Sequence, residues 1–251
     1  MDKTLTKGLQ LLETIAASPK PRGVKDLAQE TGLTQSNVHR LLQSLMALNY
    51  VHQEGPRGQY SATPRLYGIG RFVIDRLEIG NIGMPFLQRL NASTHEFCSL
   101  SIWQDNAPLI IRSVETSRNH PNLLFSQPML RTAPTCSSAG QVQLAYQPEE
   151  VIAEFAGNLV QATPFSLATP EALYARLESI RATGKVYARD EWRFGLSAVS
   201  VPVFVGRHFA ASLTISAPSE RLTKDVADTY VAPLHAAAND ISILMEANAR
   251  V

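Results

Sequence analysis

The sequence predicts an α+β chain in two units: a three-helix unit closed by a β-hairpin over residues 1–65, and a mixed unit of helices and strands over 81–251, joined by a helix over 66–80. Three observations predict it. Apolar residues recur every three or four positions through the first fifty residues, interrupted by Pro and Gly turns. Two strand-like runs about a Gly/Pro turn follow them. Beyond residue 95 helical and strand-like segments alternate, and a chain of 251 residues fits two cores better than one.

Leu5, Leu9, Leu12 and Ile15 or Ala16 form one apolar stripe, so a helix spans 3–17 and ends before Ser18-Pro19-Lys20-Pro21. Val24–Glu30 makes a second, short helix, and Thr31-Gly32-Leu33 supplies the tight turn after it. Thr34 caps a third helix, in which Val38, Leu41, Leu42, Leu45 and Leu48 face the core while Gln35, Ser36, Asn37, His39 and Arg40 cluster at the exposed N-terminal end. Tyr50–Gln53 and Gln59–Ala62 read as strands about the turn Glu54-Gly55-Pro56-Arg57-Gly58, with Arg57 at its tip. A helix, a turn, a helix and a basic-tipped hairpin make a winged helix-turn-helix. Arg65–Leu77 reads as the connecting helix, and its stripe of Leu66, Ile69, Phe72 or Val73 and Leu77 needs a partner, such as a second copy of the chain.

In the second unit Met84–His95 reads as a helix, and Cys98–Trp103, Pro108–Val114 and Leu123–Ser126 read as strands. Ser137–Tyr146, Pro148–Ala156 and Thr169–Thr183 read as helices, the last ended by Gly184. Strands over Val186–Arg189, Ser197–Val205 and Phe209–Ser216 precede a long terminal helix over Thr223–Ala249. This order predicts a sheet with helices on one face and the other face open to a ligand.

The formal charge is +1, yet residues 1–70 carry eight basic and five acidic side chains, so the positive excess is N-terminal, where phosphate would be met. Cys98 and Cys136 have no C-x-x-C or Cys/His spacing, which argues against a disulfide framework or a zinc site. Cys136 reads as a small buried thiol. The opening MDKTLTKGLQ has no apolar signal core, and no window approaches the roughly 20 apolar residues of a membrane helix, so a cytoplasmic protein without membrane contact is expected. No G-x-S-x-G, P-loop or H-E-x-x-H occurs, Gly68-Ile69-Gly70 lacks the third glycine of a dinucleotide loop, and neither an enzyme nor a cofactor is expected. Asp190-Glu191 reads as a solvated or dimer-linking acidic pair.

Several segments in fixed order carry a resemblance. They are Lys7-Gly8-Leu9-Gln10-Leu11-Leu12, Leu27-Ala28-Gln29-Glu30-Thr31-Gly32-Leu33, Val38-His39-Arg40-Leu41-Leu42 and Asn49-Tyr50-Val51, then Thr135–Gly140, Asp190-Glu191, Gly195-Leu196, Val201-Pro202-Val203, Thr214–Pro218 and Arg221-Leu222-Thr223. Over about residues 3–245 the chain resembles the IclR family of bacterial transcriptional regulators. The resemblance implies a winged helix-turn-helix joined by a linker helix to a GAF/PAS-like α+β effector-binding domain. It further implies a homodimer or dimer of dimers, a pseudo-palindromic operator in double-stranded DNA near a catabolic operon, and a small, usually anionic metabolite as effector.

In the major groove, Gln and Asn pair with adenine and Arg with guanine, so Gln35, Asn37 and Arg40 are the candidate base readers. Thr34, Ser36 and His39 are candidates for phosphate, and Lys25 and Arg57 for backbone clamps. The same side chains would also suit the solvated face of an ordinary helix, and a winged helix that binds protein is the competing reading.

Ser137-Ser138-Ala139-Gly140 opens a helix, so two hydroxyls and unpaired N–H groups form a cup for a carboxylate; the alternative is that the serines only cap. In family members that bind small acids, the opposite wall carries an Asp, a Cys and two serines, and the matching positions here are Ala188, Ala198, Thr214 and Ser216. Loss of the acid and the thiol implies a roomier, more apolar wall and favours a larger, aromatic acid. Trp103, Trp192 and Phe125 are candidates for a stacking surface, and Arg131 or Arg112 for a second charge.

Overall fold

The structure, a computed structural model, describes residues 2–55, 58–115 and 131–249. The chain divides into two compact units, Met1–Arg76 and Leu77–Val251.

In the first unit, helix α1 (Lys3–Ala17) starts where the Asp2 carboxylate accepts from the Thr4 and Leu5 amides at 2.8 and 3.3 Å. Its packed face is Gly8, Leu11, Leu12 and Ile15, whereas Leu5 and Leu9 stand 63% and 51% exposed. The expected stripe was therefore out of phase: Gly8, with no side chain of its own, is the position laid against Leu41. Helix α2 (Val24–Thr31) stops at Gly32, and α3 (Gln35–Ala47) begins where Thr34 Oγ1 accepts from the Asn37 amide at 3.3 Å. Val38, Leu41 and Leu42 are buried, but Leu48 caps the helix end and is exposed, contrary to expectation. Strands β1 (Val51–Gln53) and β2 (Tyr60–Ala62) pair antiparallel, Val51 opposite Ala62. Arg22 exchanges both backbone hydrogen bonds with Tyr60, at 2.9 and 2.8 Å, and so ties the hairpin to the start of α2. Helix α4 (Arg65–Asp75) leaves Ile69, Phe72 and Val73 exposed.

The helix expected over 66–80 is two helices, because α5 (Glu78–Thr94) starts well before Met84. Gly80, Gly83 and Pro85 are residue types that disfavour a helix interior, yet all three lie inside α5. Gly83 has a packing reason: a Cβ there would lie 2.7 Å from Leu100 Cδ2, so its absence lets the helix lie close on the sheet. Strands β3 (Phe97–Gln104) and β4 (Ala107–Val114) form a hairpin. They are followed by α6 (Ser138–Leu144), α7 (Glu149–Gly157), α8 (Pro170–Thr183), β5 (Val186–Arg189), β6 (Leu196–Val205), β7 (His208–Pro218) and α9 (Lys224–Asn248). The strand expected over Leu123–Ser126 lies outside the described residues.

The five strands form one antiparallel sheet in the order β4-β3-β7-β6-β5. Strand periodicity sorts them into two faces. Leu100, Leu213, Ile215, Val199 and Val201 occupy the face covered by α5 and α9, while Ser99, Thr214, Ser200 and Ser212 occupy the other. That second face is not open, as expected, but carries α6, which is backed by α7 and α8 through a cluster of Val142, Leu144, Ile152, Leu173, Leu177 and Ile180. Among the described residues no helix is long and apolar enough to cross a membrane.

Candidate DNA-reading helix and ligand cavity

At the start of α3, Gln35, Ser36, His39 and Arg40 are exposed and Asn37 is half-buried. Thr34 spends its side-chain oxygen on the cap. Lys25 is exposed on α2, and Arg57 lies outside the described residues. Gln43, also exposed, continues the line Ser36, Arg40 by one turn; its spacing of three from Arg40 was the signal for it. A helix whose first two turns carry Gln, Asn and Arg over a packed apolar side can place donors and acceptors along base edges.

The second unit contains a cavity of about 440 Å³, its mouth included, between the polar sheet face and α6. Of the expected ligand residues, Ser137, Ser138, Ala139, Ala188, Ala198, Thr214, Ser216 and Trp192 all line it. Strand register explains the grouping: Ser99, Thr214 and Ser200 stand side by side across three strands, and Ala188, Ala198 and Ser216 form the adjacent row. Ser200 donates to Ser138 Oγ at 2.8 Å and lies 2.7 Å from Thr214 Oγ1, so one hydrogen-bond chain joins the sheet to α6. Ser137 is the cap of α6; its Oγ accepts from the Gly140 amide at 3.0 Å and donates to the Ala133 carbonyl at 2.7 Å. Gly140 lies so close to the preceding turn that a Cβ would meet the Ala133 and Pro134 carbonyls at 2.5 and 2.6 Å.

Other expectations fail. Trp103 does not line the cavity but packs edge-on against Phe155 at 6.0 Å, in the apolar cluster that backs α6. Arg131 pairs with Asp105 at 2.7 Å on the surface and holds that carboxyl below its usual range. Arg112 donates to Asn81 and to the Ile111 carbonyl, and it too is absent from the lining. Phe125 lies outside the described residues. Among the described lining residues there is no Lys, Arg or His.

Asp190 and Glu191 are neither solvated nor directed outward; they are 8% and 5% exposed. Asp190 accepts from the Gly195 amide at 2.8 Å and Ser219 Oγ at 2.6 Å, closing the turn between β5 and β6. Glu191 lines the cavity and accepts from Gln141 and, at 3.0 Å, from Arg176. Ser99, Ser101, Thr132 and Ser197 also line the cavity and escaped the sequence reading. Cys136 is buried and donates to the Val160 carbonyl at 2.8 Å, and burial pushes the Cys98 thiol up to about 12.

Residues 4–55 match the model of the IclR helix-turn-helix domain, and residues 71–243 match that of the C-terminal domain of bacterial IclR transcriptional regulators. The chain belongs to the IclR family. It is a DNA-binding transcriptional regulator, and its C-terminal unit is the effector-binding domain of that family. Among curated IclR relatives, the DNA-binding transcriptional repressor YiaJ of Escherichia coli is 28% identical over 96% of this chain and 86% of its own length. The regulator KdgR of Dickeya chrysanthemi is 30% identical over 88% of this chain and 72% of its own length. Solved structures share the fold. An IclR homologue of Microbacterium hydrocarbonoxydans in complex with 4-hydroxybenzoate superposes with a TM-score of 0.77 at 21% identity, covering 96% of this chain and 98% of that one. The IclR of Thermotoga maritima gives 0.68 at 24%, covering 98% and 100%.

Proposed function

We propose that this regulator reads a pseudo-palindromic operator near a catabolic operon with α3 and the hairpin of residues 1–65, and that a small organic acid held in the cavity of residues 81–251 sets its grip on DNA. Gln35, Asn37 and Arg40 read bases, Lys25, Ser36, His39 and Arg57 meet the backbone, and α4 links the two functions. The observation that carries the reading is the hydroxyl-lined cavity beneath α6, in a chain that is a DNA-binding regulator by family. Ser138, Ala139, Thr214 and Ser216 hold the acid, and an aromatic acid is one candidate, since a structural neighbour is complexed with 4-hydroxybenzoate. The exposed Ile69, Phe72 and Val73 of α4 support a homodimer, or a dimer of dimers, because monomeric surfaces rarely leave such side chains uncovered together.

The test is a fluorescence-anisotropy titration of the full chain against DNA flanking its own gene, beside a shuffled duplex, at two salt concentrations. Tight binding to the native fragment that weakens steeply with salt is expected. Equal, feeble binding to both duplexes would overturn a specific operator there, and salt-insensitive capture of a protein would favour the competing reading.

A further inference from the structure

Next to the row of Ser99, Thr214 and Ser200 the same sheet face carries a second polar row. Register sets Ser101 of β3 beside Ser212 of β7, and Gln143 of α6 donates from Nε2 to Ser212 Oγ at 2.9 Å. Ser101, Ser212 and Gln143 are fully buried. In the first row Thr214 and Ser200 bond to each other and on to Ser138. In the second, Ser101 Oγ and Gln143 Oε1 have no hydrogen-bond partner among the described residues. Ser101 alone of this row lines the cavity, which makes the row the cavity's inner boundary.

Buried polar atoms without a partner are rare in native cores and destabilising, so each calls for an occupant. Resting on the effector-cavity reading above, we propose that this row is a hydroxyl subsite, and that the effector is a hydroxy acid whose hydroxyl enters deepest. The orphaned group that faces the cavity, Ser101, defines the chemistry. Its hydroxyl can donate or accept. A ligand hydroxyl pairs with it in either sense while the carboxylate of the same acid takes the hydroxyls and amides that open α6, and an apolar tip would leave Ser101 unpaired. The cavity of about 440 Å³, its mouth included, limits the ligand to a hydroxy acid of a few carbons or a single hydroxylated ring.

Calorimetric titration of the full chain with two matched pairs, glycerate against propionate and 4-hydroxybenzoate against benzoate, tests this. In whichever skeleton binds, the hydroxylated acid should bind on the order of tenfold more tightly, because a site built around a hydroxyl rejects the analogue that lacks it. Ser101→Ala should erase most of that preference while leaving the affinity for the deoxy acid and the operator affinity of the ligand-free protein unchanged. Its melting temperature should not fall, since the lost hydroxyl had no partner. Equal affinities within a pair that binds, or a preference that survives Ser101→Ala, overturn the hydroxyl subsite alone. Failure of all four acids to bind overturns the acid-effector reading, and the subsite with it.

Discussion

Replacing Arg176 with methionine removes one of the two groups that hold Glu191 in the interior. Arg176 Nη1 lies 3.0 Å from Glu191 Oε1 and 2.7 Å from Gln141 Oε1, with the Glu191 side chain 6% exposed and that of Arg176 26%. Breaking a buried ion pair by deleting one member costs about 3–5 kcal/mol, because the other charge is left without compensation. Arg176 is partly solvated, and Gln141 keeps its bond to Glu191, so about 2–3 kcal/mol is expected here. For a unit of this size each kcal/mol lowers the melting temperature by roughly 2–4 °C, which predicts a fall of about 4–12 °C in the transition of the second unit. Differential scanning calorimetry at neutral pH reads it directly. Adding Glu191→Gln removes the stranded charge and keeps a polar partner for Gln141, so the double variant should regain more than half of the loss. A single variant that melts with the parent, or a double variant no better than the single, refutes the view that Arg176 compensates a buried charge.

Arg40→Ala should weaken operator binding by about 1–3 kcal/mol in an anisotropy titration, and an unchanged affinity would remove Arg40 from the base readers. Ser138→Phe fills the cavity from α6; operator binding should persist while the response to any effector is lost, and a retained response would place the sensor elsewhere. His235, half-buried on α9, is held below its usual range chiefly by burial and secondarily by Lys185. A histidine depressed in the folded state is protonated first in the unfolded chain, so its stability contribution is intact above the ordinary value of 6.5 and is lost as pH falls below it. His235→Gln should therefore shrink the drop in melting temperature between pH 7.5 and 5.5, and an undiminished drop would sink this assignment.

The first unit was legible because its signals are local. Thr34 caps the helix it precedes, Gly32 ends the helix before it, and the hairpin pairs neighbours in sequence. Its errors, Leu5, Leu9 and Leu48, arose where apolar residues were assumed to be core residues, although the packed face of α1 runs through Gly8 and Leu48 lies beyond the last turn of α3. In the second unit the cavity residues on α6 were legible as a serine-rich helix start, and those on β5 to β7 were identified by family resemblance. Ser99 and Ser101 were missed, although their alternation with Cys98 and Leu100 in the run Phe97–Trp103 announces a sheet face that is polar within a buried strand. Asp190 and Glu191 were misread because what buries them is remote in the chain: Gln141 lies fifty positions from Glu191, and Ser219 twenty-nine from Asp190. Trp103 of β3 fails for the same reason, since Phe155, its partner, lies on the distant α7.

The serine and threonine side chains beneath α6 have an energetic counterpart. Where a closed sheet would set Val or Ile, Ser99, Ser101, Ser200 and Thr214 forgo apolar burial worth about 25 cal/mol per Å². On the proposed reading, an effector bound beneath α6 at a hundred times its Kd would add about 2.7 kcal/mol to the stability of the second unit. Drift toward valine at Ser99 or Ser101 would, on that same reading, gain apolar burial and lose response, so thermostability and responsiveness pull the same side chains in opposite directions.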